Sequence, residues 1–302
     1  MRKNKILTFY NSKMALYEFV EGNYSMSPNK PKLFMEYLKK KPLYNNIEII
    51  DDYKPFGIND FLIAHTEQYV NAFFKGKKPL CESNGLKWSE QFAESVTYTN
   101  ASLYNAIRTS VEKPESICFS PTSGFHHARP KSGSAFCTFS GQVLSSIKVY
   151  RELGAKGAYI DLDGHFGNSI EDSREFVKDL KNAIPLGCNI NPSFEKQAYL
   201  KDLEIKLEEL KQKIVSNEVN YVVHCKGADS HELDDMRGQL NTKQWLQASE
   251  MVYSFIENTS KLINKPVPLT ICLFGGYRRN EYNKVLALHY KDLEICTSIF
   301  CS

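Results

Sequence analysis

Short apolar runs alternate along the chain with segments of helical periodicity. The apolar runs, rich in β-branched or aromatic residues, predict buried strands at Lys5–Tyr10, Ile47–Ile50, Ser116–Ser120, Gly157–Leu162, Asn220–Cys225 and Leu269–Phe274. The helical pattern is clearest at Lys30–Lys40, Asp60–Phe74, Ser89–Ser110, Gly141–Leu153, Lys196–Val215 and Lys243–Leu262. Strands that are apolar on both faces need cover on both faces. The pattern therefore predicts an α/β fold with a mostly parallel sheet and helices on either side.

The size and charge of the chain bear on the number of domains and on the classes of partner. The 302 residues contain no linker rich in Pro, Gly or Ser, so we expect a single domain over residues 1–302. Lys and Arg number 38 against 35 Asp and Glu, and the net charge of +3 is too small to favour nucleic acid or an anionic membrane as a partner. No apolar stretch reaches the ~18 residues that a membrane span needs. No pattern in the sequence predicts the oligomeric state.

The cysteines and the N-terminus bear on the compartment. The eight cysteines are scattered, show no C-x-x-C spacing and mostly lie in apolar runs, so we expect buried, reduced thiols. The apolar run after the basic N-terminus is too short for a signal peptide and fits a first strand better. Together these features predict a cytoplasmic protein.

The first candidate for chemistry follows the strand Gly157–Leu162. Alternation along a strand sends Asp161, Asp163 and His165 to one side, so two carboxylates and an imidazole converge where the strand ends. Such oxygen and nitrogen donors suit Zn²⁺ or Fe²⁺. The alternative is a strand-end turn with a helix-capping Asp.

The second candidate follows the strand Asn220–Cys225. Asp229 lies beside a glycine just past this strand, where it can supply a third metal ligand and leave a position open for water. An ordinary loop Asp is the alternative. His231, two residues further on, is expected to be a surface loop histidine.

The third and fourth candidates follow the strands Ser116–Ser120 and Leu269–Phe274. His126 and His127 are adjacent and can handle protons, because imidazole titrates near neutral pH, although an exposed loop pair would look the same. Gly275 and Gly276 allow the backbone to approach a ligand closely. They would deliver the Tyr277 phenol to a developing oxyanion, unless the turn is purely structural.

All four candidates stand at the carboxyl ends of predicted parallel strands. In such sheets these ends lie at one edge, which is where ligands bind. Metal ligands, proton carriers and an oxyanion donor at one edge are the set that metal-assisted amide hydrolysis requires.

In these segments the chain resembles the histone deacetylase superfamily, which has an arginase-like α/β fold. The motifs that carry the resemblance occur in order over Ile117–Tyr277: Gly124-Phe125-His126-His127-Ala128, Ser134-Ala135-Phe136-Cys137, Asp161 to Asn168 (DLDGHFGN), Gly227-Ala228-Asp229 and Gly275-Gly276-Tyr277. An earlier segment around His65 is also similar, and there a structural role is expected.

The resemblance implies a role for each matching position. Asp163, His165 and Asp229 would hold the metal, and His126 and His127 would carry protons, with His127 as the general base. Asp161 would orient His126 and also touch a structural monovalent cation such as K⁺, and Asn168 would orient His127. Tyr277 would polarise the scissile carbonyl, and Phe136 would form a wall of the acyl tunnel with Gly275 and Gly276 close to the substrate.

Some positions depart from the family pattern. Phe166 stands where a second histidine is common, Phe274 where an acidic residue often precedes the glycines, and Lys226 where a small residue is usual. The segment Ile184–Ser193 lacks the aromatic residue that usually forms the opposite tunnel wall. We therefore expect an altered substrate channel.

The function expected from the sequence is a zinc-dependent deacetylase. It would hydrolyse an acetyl or acyl amide on lysine, a polyamine or a related amine by means of metal-activated water. The alternative from another class is a non-catalytic metal-binding protein with the deacetylase fold. An arginase-like enzyme with two metal ions would need further Asp and His ligands, which the sequence does not offer beside the first set.

Overall fold

The central element is one parallel sheet of seven strands. In the computed structural model, residues 5–16, 22–193, 195–236 and 238–300 are described. The strands are β1 (Ile6–Phe9), β2 (Ile47–Ile50), β3 (Ile117–Ser120), β4 (Gly157–Asp161), β5 (Asn189–Ile190), β6 (Tyr221–Lys226) and β7 (Leu269–Leu273). Their order across the sheet is β2-β1-β3-β7-β6-β4-β5, and all neighbours pair in parallel.

Helices occupy most of the connections between strands. They are α1 (Lys30–Leu38), α2 (Ile58–Phe61), α3 (Glu67–Phe74), α4 (Glu90–Glu112), α5 (Gly141–Leu153), α6 (Ser169–Ser173), α7 (Leu180–Ala183), α8 (Tyr199–Val215), α9 (Thr242–Leu262) and α10 (Tyr282–Phe300). Two of the long helices, α4 and α9, begin at good caps: the Ser89 side chain accepts from the amide of Phe92 at 3.1 Å, and Asn241 forms a reciprocal capping box with Gln244.

The two faces of the sheet contact different helices, as β6 illustrates. The Tyr221 hydroxyl donates to Ser146 on α5 at 2.9 Å, whereas His224 Nε2 lies 3.5 Å from Asp292 on α10. These two strand residues have opposite parity, so their side chains leave opposite faces. Every residue of β6 is buried because both faces are covered. The predicted α/β fold with a parallel sheet and helices on both sides is confirmed.

The structure corrects some of the predicted elements. The helix predicted over Asp60–Phe74 is wrong as a single element, because Thr66 caps a separate α3 by accepting from the amide of Tyr69 at 3.4 Å. The two-residue strand β5 and the helix α10 were not predicted. No helix within the described part of the chain is long and apolar enough to cross a membrane.

The expectation of buried thiols holds for every cysteine in the described ranges. These seven are free and buried: Cys81, Cys118, Cys137, Cys188, Cys225, Cys272 and Cys296. Cys301 lies outside the described residues.

Candidate active site

The predicted site residues meet where four neighbouring strands end. The strands β3, β7, β6 and β4 lie side by side in the sheet. Because they are parallel, their carboxyl ends open onto one edge, and the segments that follow them share a single region. The hydrogen bonds and ring contacts below connect the predicted metal ligands, histidines, orienting residues, tyrosine and Phe136 there.

Asp163, His165 and Asp229 form the centre of this region. Each offers one ligand atom, and these atoms all lie within 4.8 Å of one another. Both carboxylates are buried and accept backbone hydrogen bonds, Asp163 from the amide of Gly275 at 2.7 Å and Asp229 from the amide of Gly164 at 3.0 Å. Within the described ranges, no second cluster of His, Cys, Asp and Glu side chains has a metal-binding arrangement.

The electrostatics of these three side chains favour a bound cation. Burial and the charge of Asp163 raise the pKa of Asp229 to about 7. His165 Nδ1 lies 3.3 Å from Asp163 Oδ1 and 3.0 Å from Asp229 Oδ2, and these contacts raise the pKa of the imidazole to about 10. Two buried carboxylates lie close together with only one imidazole between them, and a cation bound there would reduce their mutual repulsion. Two oxygen donors and one nitrogen donor suit Zn²⁺ or Fe²⁺, so the residues present fit a divalent metal.

His126 and His127 stand beside this centre with different partners. His126 Nδ1 lies 2.9 Å from Asp161 Oδ2, and its Nε2 lies 3.6 Å from Asp163 Oδ1. His127 Nδ1 lies 2.8 Å from Asn168 Oδ1. The two ring centroids are 4.0 Å apart. Each histidine therefore has a side-chain oxygen within hydrogen-bond distance of its Nδ1.

The surroundings separate the pKa values of the two histidines. Burial opposes protonation of His126, but the charges of Asp163 and Asp161 outweigh it and raise its pKa to about 9. Burial and the neighbouring His126 lower the pKa of His127 to about 4. At neutral pH His126 can hold a proton while His127 can accept one. That difference matches the roles of acid and base in amide hydrolysis.

The turn after β7 brings Tyr277 to the same place. Gly276 has a φ of 145°, which side-chain-bearing residues rarely adopt, and the amide of Tyr277 donates to Asp234 Oδ2 at 2.7 Å. Burial and the charge of Asp163 raise the pKa of the phenol well above its ordinary value. The hydroxyl therefore keeps its proton and can donate a hydrogen bond.

Phe136 forms an aromatic wall next to Tyr277. The ring centroids of these two residues are 5.6 Å apart, and Tyr24 stacks on the Phe136 ring at 6.0 Å with 13° between the planes. Ala135 and Phe136 have φ values of 41° and 63°, a left-handed conformation that residues other than glycine rarely adopt. The amide of Phe136 donates to the carbonyl of Asn84 at 2.7 Å and secures this turn.

The residues that depart from the family pattern occupy distinct surroundings. Phe166 is 48% exposed beside the predicted ligand His165. Phe274 is buried, with its ring centroid 4.9 Å from that of His126. Lys226 is buried as well, donating to the carbonyl of Trp245 at 3.1 Å, and burial lowers its pKa to about 7.

The segment Ile184–Ser193 contacts the ligand loop through amide side chains. Asn191 Oδ1 accepts from the amide of Gly167 at 2.7 Å, and Asn189 Nδ2 donates to the carbonyl of Gly167 at 2.8 Å. These contacts hold the backbone between His165 and Asn168. They supply polar anchoring at a place where the sequence lacks an aromatic residue.

Three polar residues that were not predicted contact the site, namely Lys30, Asp172 and Asp234. Lys30 is fully buried and donates to the carbonyl of Phe274, and burial lowers its pKa to about 8. Nothing local distinguishes it in the charged start of α1. Asp172, in contrast, lies one helical turn after Asn168, and that spacing is a usable sequence signal.

The expectation for His231 is wrong, because this histidine is buried rather than on the surface. Its Nε2 lies 2.9 Å from Thr242 Oγ1, and its Nδ1 accepts from the amide of Leu233 at 3.2 Å. His65 is buried too, with Nδ1 2.9 Å from the carbonyl of Arg129. His231 therefore joins its own loop to the start of α9, and His65 joins the segment just before α3 to the backbone at Arg129.

Comparison with known protein families agrees with this geometry. A family model described as the histone deacetylase domain matches residues 24–182, which is more than half of the chain. The chain belongs to the histone deacetylase family. Of the predicted site residues in this histone deacetylase family member, Asp229, Gly275, Gly276 and Tyr277 lie beyond the matched region. Their place at the site rests on the contacts described above.

Relatives and solved structures of the family are distant in sequence. Histone deacetylase 3 of Oryza sativa subsp. japonica is 24% identical over 187 residues, covering 57% of this chain and 36% of that protein. Histone deacetylase 8 of Xenopus tropicalis is 22% identical over 185 residues, covering 58% and 50%. The chain thus spans half or less of the length of these relatives. The crystal structure of the HDA15 HD domain shares the fold, with a TM-score of 0.71 and 14% identity over 99% of this chain and 88% of that one.

Proposed function

We propose that the protein is a zinc-dependent amidohydrolase that removes an acetyl or longer acyl group from the amine of a lysine, a polyamine or a related compound. The observation that carries this proposal is the convergence of Asp163, His165 and Asp229 beside two differently poised histidines and a protonated tyrosine. Family membership supports a deacetylase-type hydrolase. Fe²⁺ is the alternative metal, and a monovalent cation near Asp161 stays a prediction.

The proposed chemistry begins with water activation. When bound, a divalent metal polarises the amide carbonyl and lowers the pKa of a water molecule toward about 7. His127 takes the proton of the attacking water, because burial keeps this imidazole neutral and the contact of its Nδ1 with Asn168 leaves Nε2 free to accept. The Tyr277 hydroxyl donates to the oxygen that becomes negative as the tetrahedral intermediate forms.

Departure of the amine requires a proton. His126 is suited to supply it, because the buried carboxylate of Asp161, 2.9 Å from its Nδ1, favours the protonated imidazole. The imidazolium formed on His127 by the first step lies next to it and is a second source. Either proton converts the leaving nitrogen into a neutral amine, so the cycle needs no covalent intermediate with the protein.

Phe136 and its neighbours are proposed to bind the substrate and to take no part in bond cleavage. Phe136, with Tyr24 stacked on it and the tilted ring of Tyr277 beside it, presents apolar surface next to the proposed catalytic groups. Such a surface suits the methylene chain of an acylated lysine or polyamine. We expect an altered opposite wall because the segment Ile184–Ser193 lacks the aromatic residue that is usual in the family, and for this reason the proposal covers several amines.

A substrate panel tests the proposal. Acetyl-lysine peptides, longer acyl-lysine peptides and acetylated polyamines are incubated with zinc-loaded protein, and the released carboxylate and free amine are both quantified. Equimolar release that a strong chelator abolishes and added Zn²⁺ restores is the expected result. A protein that binds one equivalent of metal and hydrolyses no member of the panel would instead fit the non-catalytic alternative.

A further inference from the structure

The contact between His127 and Asn168 is the start of a longer chain of polar contacts. Asn168 Oδ1 faces His127 Nδ1 at 2.8 Å, and Asn168 Nδ2 donates to Asp172 Oδ2 at 2.6 Å. Arg129 Nε lies 3.6 Å from the same carboxylate oxygen. This series of polar contacts therefore runs from the predicted general base to the surface, where Asp172 is exposed.

An asparagine cannot by itself decide the tautomer of a histidine. Its side chain has an acceptor oxygen on one side and a donor NH₂ on the other, and a half-turn exchanges them at almost no change in shape. With the oxygen toward His127, Nδ1 must carry the proton and Nε2 is left free to act as a base. With the NH₂ toward His127, Nδ1 becomes the acceptor and the proton moves to Nε2, which can then no longer take one.

Asp172 removes this ambiguity. An ionised carboxylate can only accept, so it holds the NH₂ of Asn168 on its own side and turns the oxygen toward His127. The backbone supports the same geometry, since the amide of Asp172 donates to the carbonyl of Asn168 at 2.9 Å across one helical turn. Residues with this spacing lie on the same helix face.

We infer that Asp172 is a positioning residue that selects the Nδ1-protonated tautomer of His127 through the amide of Asn168. This inference rests on the proposed function only for its catalytic consequence, because the tautomer itself is a property of the folded protein. The Asp172 side chain contacts Asn168 and Arg129 rather than a predicted metal ligand. It acts by fixing the orientation of one amide.

The decisive variant is Asp172→Lys, because an ammonium group can only donate. The new side chain would attract the oxygen of Asn168 and turn the NH₂ toward His127. Long-range ¹H–¹⁵N correlation spectra of the zinc-loaded full chain report the tautomer directly, with the His127 signals assigned by their loss in His127→Gln. Wild type is expected to show a protonated Nδ1, and Asp172→Lys a protonated Nε2. The inference is overturned if His127 keeps its Nδ1 proton in this variant.

The compensating variant restores the tautomer by a different route. In Asn168→Asp/Asp172→Lys the carboxylate at position 168 accepts from both neighbours, so His127 should recover the Nδ1 proton. Glu171→Lys makes the same change of charge one residue away, on a side chain that pairs with Arg174. It should leave the His127 signals unchanged, and if it also moves the proton to Nε2, the effect is one of net charge and the inference fails.

Turnover on the best substrate follows the tautomer if the proposed function also holds. Removing a general base typically costs about 10²–10⁴-fold, so kcat should fall at least about 10²-fold in Asp172→Lys with little change in KM and recover in the double variant. If the spectra invert as expected while wild type hydrolyses nothing, the positioning role stands and the proposed function fails. If turnover falls without inversion, the positioning role fails alone.

Discussion

The backbone of Gly275 runs directly against the carboxylate of Asp229. A β-carbon built on Gly275 would overlap all three carboxyl atoms of that side chain, while the amide of Gly275 donates to Asp163 at 2.7 Å. One residue thus positions two predicted ligands. We expect Gly275→Ala to displace Asp229 and to weaken metal binding by about 10–100-fold, as changes in the surroundings of a metal ligand typically do.

Competition with a chelator of known affinity measures this effect. Gly57→Ala is the matched control, because a β-carbon there would meet nothing closer than Asp60 Oδ2 at 3.8 Å. It should bind metal as wild type does. Wild-type affinity in Gly275→Ala would mean that Asp229 does not ligate the metal.

Removing a predicted ligand should empty the site. We expect Asp163→Ala to retain well under one equivalent of metal after dialysis, because it loses one of two oxygen donors. Elemental analysis measures the metal, and thermal unfolding confirms that the protein is folded. Asp179→Ala is the control, since Asp179 forms an exposed ion pair with Arg151. A full equivalent in both variants would show that the ligand set is wrong.

Tyr277→Phe should separate catalysis from folding. The substitution removes a hydroxyl that we propose acts only as charge develops, so kcat should fall about 10²–10³-fold while metal content and melting temperature hold steady. Tyr282→Phe removes a nearby hydroxyl that has no hydrogen-bond partner among the described residues. Turnover should survive that change. A loss of only a few-fold in Tyr277→Phe would leave this tyrosine a structural turn residue.

A hydroxamate should bind to the zinc-loaded protein, because it chelates a metal through two oxygens and its linker can lie along the aromatic wall. Calorimetric titration should show that Phe136→Ala weakens the binding by about tenfold or more, as expected for loss of a buried aromatic contact. Phe176→Ala, an exposed phenylalanine outside the site, should leave the affinity unchanged. If all three proteins bind alike, the linker does not pass Phe136.

The stability of the fold should fall in mild acid, in part through His65. Burial lowers the pKa of this imidazole from 6.5 to about 4. Between these values the unfolded chain binds a proton that the folded chain does not. The free energy of unfolding therefore decreases as pH falls from about 6.5 to 4, by up to about 1.4 kcal/mol per pH unit, and this contribution is constant above and below that window.

His65→Gln isolates that contribution. A glutamine can accept from the amide of Ser140 and donate to the carbonyl of Arg129, as the histidine does. Denaturant titrations between pH 7 and 4.5 should show a shallower loss of stability in the variant. Parallel curves would indicate that His65 is already protonated in the fold.

The sequence predicted best what depends on local periodicity. The alternation Asp161, Asp163, His165 follows from the strand that precedes it, and the six predicted strands all occur with bounds shifted by at most a residue or so. The helix α10 was missed because its buried face carries His289 and Asp292, which interrupt the apolar stripe. A hydrophobicity pattern predicts that polar residues are exposed, even where tertiary contacts bury them.

Long-range contacts account for the remaining misses. Lys30 reaches the carbonyl of Phe274 across most of the chain, and Asp234 accepts from the amide of Tyr277, which is 43 residues away. His231 is buried because Thr242 and its own loop close around it. None of these long-range contacts produces a periodic pattern in the sequence. They follow from the way the sheet edge gathers segments that are distant in sequence.

The position of β7 in the sheet affects how the protein can fold during synthesis. Of the strands in the described residues this one comes last in sequence, yet it lies between β3 and β6 in the middle of the sheet. We therefore expect the earlier strands to form two separate groups during synthesis, β2-β1-β3 and β6-β4-β5, each with an exposed edge of the kind that promotes aggregation. A chain cut before Leu269 would keep most of its residues and all three predicted metal ligands. It would lack β7, the strand that pairs with both β3 and β6. We expect such a fragment to depend on chaperones or to be degraded.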